Sequence, residues 1–177
     1  MKIADLEFTP LIPYATIEKR TKEIAIGLNA EYAGKTPIFV GVLNGCFIFM
    51  ADLMKEITVP CEMAFTKLSS YHGGLTSSRI IKDDYDLSVN IEGRHVILVE
   101  DIVDTGNTLN YLIAKLEVRR PASLSVCALL LKPAALEHQI DELKHVAFEI
   151  ENKFVVGYGL DYKQMGRNLR DIYELVV

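Results

Sequence analysis

Three short runs, residues 37–43, 95–99 and 123–131, are so largely apolar that neither face of an extended chain built from them suits water. A strand buried on both faces belongs inside a parallel sheet, and parallel strands need long crossovers, usually helical, to join them. The chain supplies such crossovers. Residues 16–32 place Ile17, Ile24, Leu28 and Tyr32 at helical intervals among charged neighbours, and Gly34 then ends the pattern. After the turn at Asn44-Gly45, Phe47, Met50 and Met54 define the face of a second helix, while Leu109, Leu112, Ile113 and Leu116 define a third. Strands alternating with amphipathic helices predict an α/β fold with a parallel-sheet core flanked by helices. The 177 residues, 50% of them hydrophobic, predict one globular domain over 1–177. A domain of that length buries roughly 70% of its unfolded surface, enough to stand without a disulfide or metal staple.

The stretch from Ser69 to Arg79 is polar and glycine-bearing and has no apolar period, so a mobile lid is expected at about 69–80; a solvated hairpin connection carries equal weight. Cys46, Cys61 and Cys127 are odd in number, far apart and set in apolar runs, which predicts reduced core thiols; no histidine lies near them at zinc spacing. Acids occupy the first residues where a signal peptide would be apolar, and no run is long enough to span a bilayer. A soluble cytoplasmic chain without a membrane partner is the expectation. Lysine plus arginine number 19 against 24 acids, a net charge of -5, and that balance disfavours a nucleic-acid partner.

The stretch from Val99 to Leu109, Val-Glu-Asp-Ile-Val-Asp-Thr-Gly-Asn-Thr-Leu, carries the most chemical information. Ligands of open α/β sheets bind outside the carboxyl ends of the strands, where this segment falls. Small residues from Asp104 to Thr108 let consecutive backbone N–H groups turn inward, and the following helix N-terminus adds about half a positive charge. That combination holds a phosphate monoester, with the Thr105 and Thr108 hydroxyls as further donors. Glu100 and Asp101 would repel the phosphate unless they face a ribose diol or a magnesium ion. Each residue taken alone reads equally well as part of a helix cap.

The segment, with Val96-Ile97-Leu98 before it, resembles the phosphoribosyl diphosphate motif of the type I phosphoribosyltransferases. Leu43-Asn44-Gly45-Cys46, Ser70-Tyr71, Leu131-Lys132-Pro133 and the run from Lys153 to Tyr162 with Arg167 narrow the resemblance to the hypoxanthine-guanine branch. The resemblance implies a small hood built from the terminal segments, a magnesium cofactor, and a homodimer or homotetramer. It implies transfer of the 5-phosphoribosyl group from phosphoribosyl diphosphate to hypoxanthine or guanine, giving IMP or GMP and pyrophosphate.

By the same resemblance, Asp104 is the catalytic base near purine N7. Leu43, Asn44, Gly45, Glu100, Asp101, Asp104, Thr105, Gly106, Asn107, Thr108 and Arg167 hold the donor, the first three through a loop that often contains a non-proline cis peptide. Lys132, Phe154, Val155 and Asp161 hold the purine, Glu100, Asp101 and Asp161 the magnesium, and Ser70 and Tyr71 close the lid. Many relatives carry a lysine or arginine where this chain has Asn44, and a small residue or glycine where it has Cys46. Read alone, Lys132 is a strand-end lysine reaching for solvent, Phe154 is part of a strand, and Asp161 and Arg167 are solvated surface charges. A regulator that senses the donor on the same fold while binding nucleic acid is the alternative; Lys115, Arg119 and Arg120 are its densest basic cluster.

Overall fold

The computed structural model describes residues 1–70, 81–85 and 87–176, the side chains of 69, 70 and 81–85 excepted. In chain order the elements are β1 (Lys2–Ile3), β2 (Leu6–Ile12), α1 (Tyr14–Glu31), β3 (Ile38–Leu43), α2 (Phe47–Glu56), β4 (Glu62–Ser70), β5 (Ile81–Tyr85), β6 (His95–Val103), α3 (Asn107–Glu117), β7 (Ser123–Leu131), a 3-10 turn (Pro133–Ala135), β8 (Leu143–Glu149), β9 (Val155–Val156) and β10 (Ile172–Leu175). A six-stranded sheet runs β5-β4-β3-β6-β7-β8, parallel throughout except for the antiparallel pair of β4 and β5. A second sheet, β1-β2-β10-β9, joins the two chain ends into the expected hood.

Period-two alternation divides each central strand between two cores. Phe39, Ile97, Val99, Cys127 and Leu129 face α1 and α2, whereas Ile38, Val40, Val96, Leu98, Val126 and Ala128 face α3. Both faces of β3 are therefore buried, as its composition predicts. The α3 positions Leu109, Leu112, Ile113 and Leu116 are all buried, and so are the four apolar positions of the first helix. That helix starts two residues earlier than expected, at Tyr14, and ends at Glu31.

Three expectations need correction. The buried face of α2 is Phe49, Met50 and Leu53; Phe47 is 44% exposed and Met54 only partly buried, because the helix starts at Phe47 and turns that first side chain outward. The strand entering the acidic stretch does not stop at Val99 but pairs with β7 through Val103 opposite Leu131, so Glu100 and Asp101 belong to β6 and the loop begins at Asp104. Cys46 and Cys127 are buried free thiols, but Cys61 is only partly covered. Of the lid residues, Ser70 ends β4, while Tyr71 lies outside the described residues, as does the rest of the stretch to 80.

Candidate active site

The carboxyl ends of β3, β6 and β7 lie side by side, so the loops after Leu43, Val103 and Leu131 share one edge of the sheet, and the hood packs against it. Gly106, at φ 82, is the N-cap of α3. Glycine suits this left-handed position, and an added β-carbon would also crowd Ile140 at 2.9 Å. The Asn107 N–H reaches the Thr105 hydroxyl at 3.4 Å, and the other first-turn N–H groups have no carbonyl four residues back within the helix. Glu100, Ile102, Val103, Asp104, Thr105, Gly106, Thr108 and Leu109 line a pocket of about 130 Å³ there. The Asn107 amide turns outward and donates to Glu137 at 2.9 Å, so Asn107 faces this pocket with its backbone rather than its side chain.

Lys132 overturns its solitary reading. It is 6% exposed, and its ammonium donates to Asp104 at 2.9 Å, across the gap between the ends of β7 and β6. Its own N–H holds the Val103 carbonyl at 2.9 Å, which fixes the two strand ends together. A buried ammonium and a half-exposed carboxylate thus stand side by side at the start of the loop that opens α3.

The β3–α2 loop contains a cis peptide at Leu43–Asn44, as the resemblance implies. A β-carbon on Gly45 would overlap the Asp101 carboxylate, and one on Gly159 would overlap the Gly45 carbonyl. Only glycine permits Asp101, the β3–α2 loop and the hood loop to stack this closely. Asn44 is exposed and offers no cation, whereas Cys46 is buried beneath the loop. Burial, reinforced by Glu100 and Asp101, pushes its thiol well above the ordinary range, so it acts as packing.

Asp161 and Arg167 are not solvated surface charges either. They pair at 2.6 Å with side chains 23% exposed, and Arg167 also donates to the Gly159 carbonyl at 2.8 Å. Phe154 is 44% exposed just before β9, braced edge-on by Tyr162 at 5.7 Å and at a tilt by Phe8 at 6.3 Å, while Val155 is buried in the ladder with β10.

The carboxylates of β6 fit a hard cation. Glu100 Oε2 is sealed from solvent without a hydrogen-bond partner. Burial pushes the Glu100 carboxyl well above its usual range, and burial raises Asp101 to about 6. Among the described residues no three His, Cys, Asp or Glu side chains converge on one point, so the predicted trio of Glu100, Asp101 and Asp161 does not form a closed cage. Magnesium usually takes one or two carboxylates and completes its shell with substrate phosphates and water.

The shift on Asp101 has a testable sign. The folded chain holds that proton more tightly than the unfolded chain, so the resulting stabilisation is present at low pH and lost as pH rises from 3.8 through about 6. Asp101→Asn keeps an oxygen for the Ile102 N–H and has no such loss, so its melting temperature should gain on wild type between pH 4 and pH 7 without metal. Parallel melting curves across that range would refute the assignment.

Sequence reasoning missed Asp52, whose carboxylate accepts from Tyr158 at 2.8 Å, and Glu137, whose N–H donates to the Thr105 carbonyl at 3.0 Å. The glycines bracketing Tyr158 were a usable signal for the first; nothing local marks the second.

The family described as "Phosphoribosyl transferase domain" matches residues 13–163. The hypoxanthine-guanine phosphoribosyltransferase of Streptococcus pneumoniae strain R6 is 46% identical over 159 residues, covering 90% of this chain and 88% of that protein. A hypoxanthine phosphoribosyltransferase structure from Staphylococcus aureus superposes with a TM-score of 0.90 at 38% identity, covering 97% of this chain and 92% of that one. A hypoxanthine-guanine phosphoribosyltransferase structure from Bacillus anthracis gives 0.89 at 34%, covering 97% and 100%.

Proposed function

Because the chain belongs to the phosphoribosyl transferase domain family, we propose that it is an enzyme of purine salvage that moves the 5-phosphoribosyl group of phosphoribosyl diphosphate onto a 6-oxopurine, giving IMP or GMP and pyrophosphate. The observation that carries the substrate class is the Lys132–Asp104 pair at 2.9 Å. A 6-oxopurine presents O6 and N7 side by side, an acceptor next to a site that carries or loses a proton. Lys132 donates to O6 and Asp104 accepts at N7, whereas an adenine amino group would set donor against donor at Lys132.

Breaking the anomeric C–O bond places positive charge on the sugar and negative charge on the leaving diphosphate. The backbone from Thr105 to Thr108 and the α3 N-terminus hold the 5-phosphate. Glu100 and Asp101 face the ribose hydroxyls and, with Asp161, would hold the magnesium ion, which would offset the charge of the diphosphate. The Leu43–Gly45 backbone and Arg167 hold the pyrophosphate, which requires Arg167 to share or leave Asp161. Phe154 stacks on the base, the Val155 backbone and Asp161 border its edge, and Ser70 and Tyr71 in the stretch 69–80 exclude water from the activated sugar. Hood and six-stranded sheet, within residues 1–177, work as one domain.

The regulator reading loses its basic face. Arg119 donates to the Leu87 and Val89 carbonyls, and Arg120 pairs with Glu92. Three free cysteines support a cytoplasmic placement, and among the described residues no helix is long and apolar enough to cross a membrane. Exposed Phe47 and Met63 suit association into a homodimer or homotetramer.

Mixing the protein with hypoxanthine, donor and magnesium should change the ultraviolet absorbance as nucleotide forms; no product with hypoxanthine, guanine or xanthine would refute the proposal. Lys132→Ala should raise the KM for 6-oxopurines by roughly 10- to 100-fold with donor KM little changed, the range expected for losing a charge-assisted hydrogen bond. An unchanged preference for hypoxanthine and guanine over adenine would deny Lys132 its reading role.

A further inference from the structure

We propose that Tyr158 and Asp52 are positioning residues of the pyrophosphate subsite, the hydroxyl-to-carboxylate bond between them latching the hood loop that carries Asp161 and Arg167 onto the helix that follows the Leu43–Gly45 loop. The inference rests on the function proposed above, and neither residue touches a substrate in it.

Tyr158 is 1% exposed and adopts φ 49, a left-handed conformation uncommon for a bulky residue, between Gly157 at φ 98 and Gly159 at φ 105. Three consecutive left-handed residues make a tight knuckle. Among the described residues its backbone hydrogen bonds stay within the hood: the Tyr158 N–H donates to the Leu169 carbonyl at 2.8 Å and the Gly159 N–H to the Arg167 carbonyl at 2.9 Å. Across the gap, Gly159 abuts the Gly45 carbonyl, a contact with no hydrogen bond to hold it.

The Tyr158 hydroxyl supplies a tie to α2. It donates to Asp52 Oδ2 at 2.8 Å, and Asp52 Oδ1 is engaged by Lys55 at 2.8 Å, so the carboxylate is fixed at both oxygens. Burial and the Asp52 charge push the phenol well above its ordinary range, and it remains a donor throughout the working pH range. Asp52 lies on α2, within two turns of the pyrophosphate loop, and Arg167 donates to the carbonyl of Gly159, the residue after the latch. The purine side of the hood is anchored separately. Val155 and Val156 pair with Glu174 and Tyr173, and Phe154 leans on Tyr162 and Phe8. Loosening the latch should therefore move Asp161 and Arg167 away from Gly45 while leaving the base-stacking ring in place.

The test is calorimetric titration of the full chain with phosphoribosyl diphosphate and magnesium, beside the KM for hypoxanthine and the melting temperature. Tyr158→Phe and Asp52→Ala should each weaken donor binding roughly five- to tenfold, less than a charge-assisted bond made to the donor itself because the latch acts through the loop, with a smaller rise in the hypoxanthine KM, since Asp161 borders the base but Phe154 and Val155 stay anchored. Asp52→Asn keeps an acceptor oxygen and should restore donor binding to within about twofold. The double variant should be no weaker than Asp52→Ala alone, because both changes break one bond. Unchanged donor affinity in Tyr158→Phe, or equal losses for donor and purine, would overturn the latch. A wild-type chain that fails to bind the donor would overturn the proposed function itself, and the latch with it.

Discussion

Asp104→Asn is expected to lower turnover of hypoxanthine by roughly 10²–10⁴-fold, the range for removing a general base, while folding and donor affinity stay near wild type. Asp104 opens the loop after β6 with its side chain 49% exposed, so little packing depends on it. What does depend on it is Lys132, whose buried ammonium has this carboxylate at 2.9 Å. Alanine would leave that cation without a partner and mix a structural penalty into the kinetics. Asparagine keeps an oxygen for the Lys132 N–H while removing the negative charge and the capacity to take a proton. Single-turnover rates at saturating donor and purine, with donor affinity by calorimetry, separate these contributions. Turnover equal to wild type would remove Asp104 from the mechanism.

The fold was legible because hydrophobic pattern and sheet geometry agree. Strands such as Ile38–Leu43 can be buried on both faces only in a covered parallel sheet, and the alternation of Phe39 with Ile38 and Val40 assigns each face to its own helix layer. The site was legible to the extent that its chemistry is local. The loop from Asp104 to Thr108, expected as a turn before a helix, does open α3, from a left-handed Gly106. The long-range terms were hidden. Nothing around Lys132 says that it is buried against a residue 28 positions away, and nothing in Asp161 or Arg167 announces their pairing. Phe47 misled because a period of three or four cannot locate the first residue of a helix, and in α2 that residue points outward. Tyr158 and Asp52 lie 106 residues apart, each unremarkable in its own segment.

Gly159→Ala is expected to cost about 3 kcal/mol of stability and to weaken donor binding by roughly 100-fold, because backbone strain and steric overlap add at this position. At φ 105 any β-carbon is strained, and this one would also collide with the Gly45 carbonyl. Neither partner is the flexible end of a side chain. Gly45 cannot retreat, since its other side faces the Asp101 carboxylate, so the hood loop must lift and carry Asp161 and Arg167 from the proposed pyrophosphate subsite. Gly93→Ala separates the two contributions: Gly93 has φ 68 but nothing within 4 Å of an added β-carbon, so it bears strain without overlap. It should lose about 1–2 kcal/mol of stability with donor affinity unchanged. Melting curves and donor calorimetry on both variants decide the matter, and a Gly159→Ala protein that binds the donor as tightly as wild type would show that this close approach does not shape the subsite.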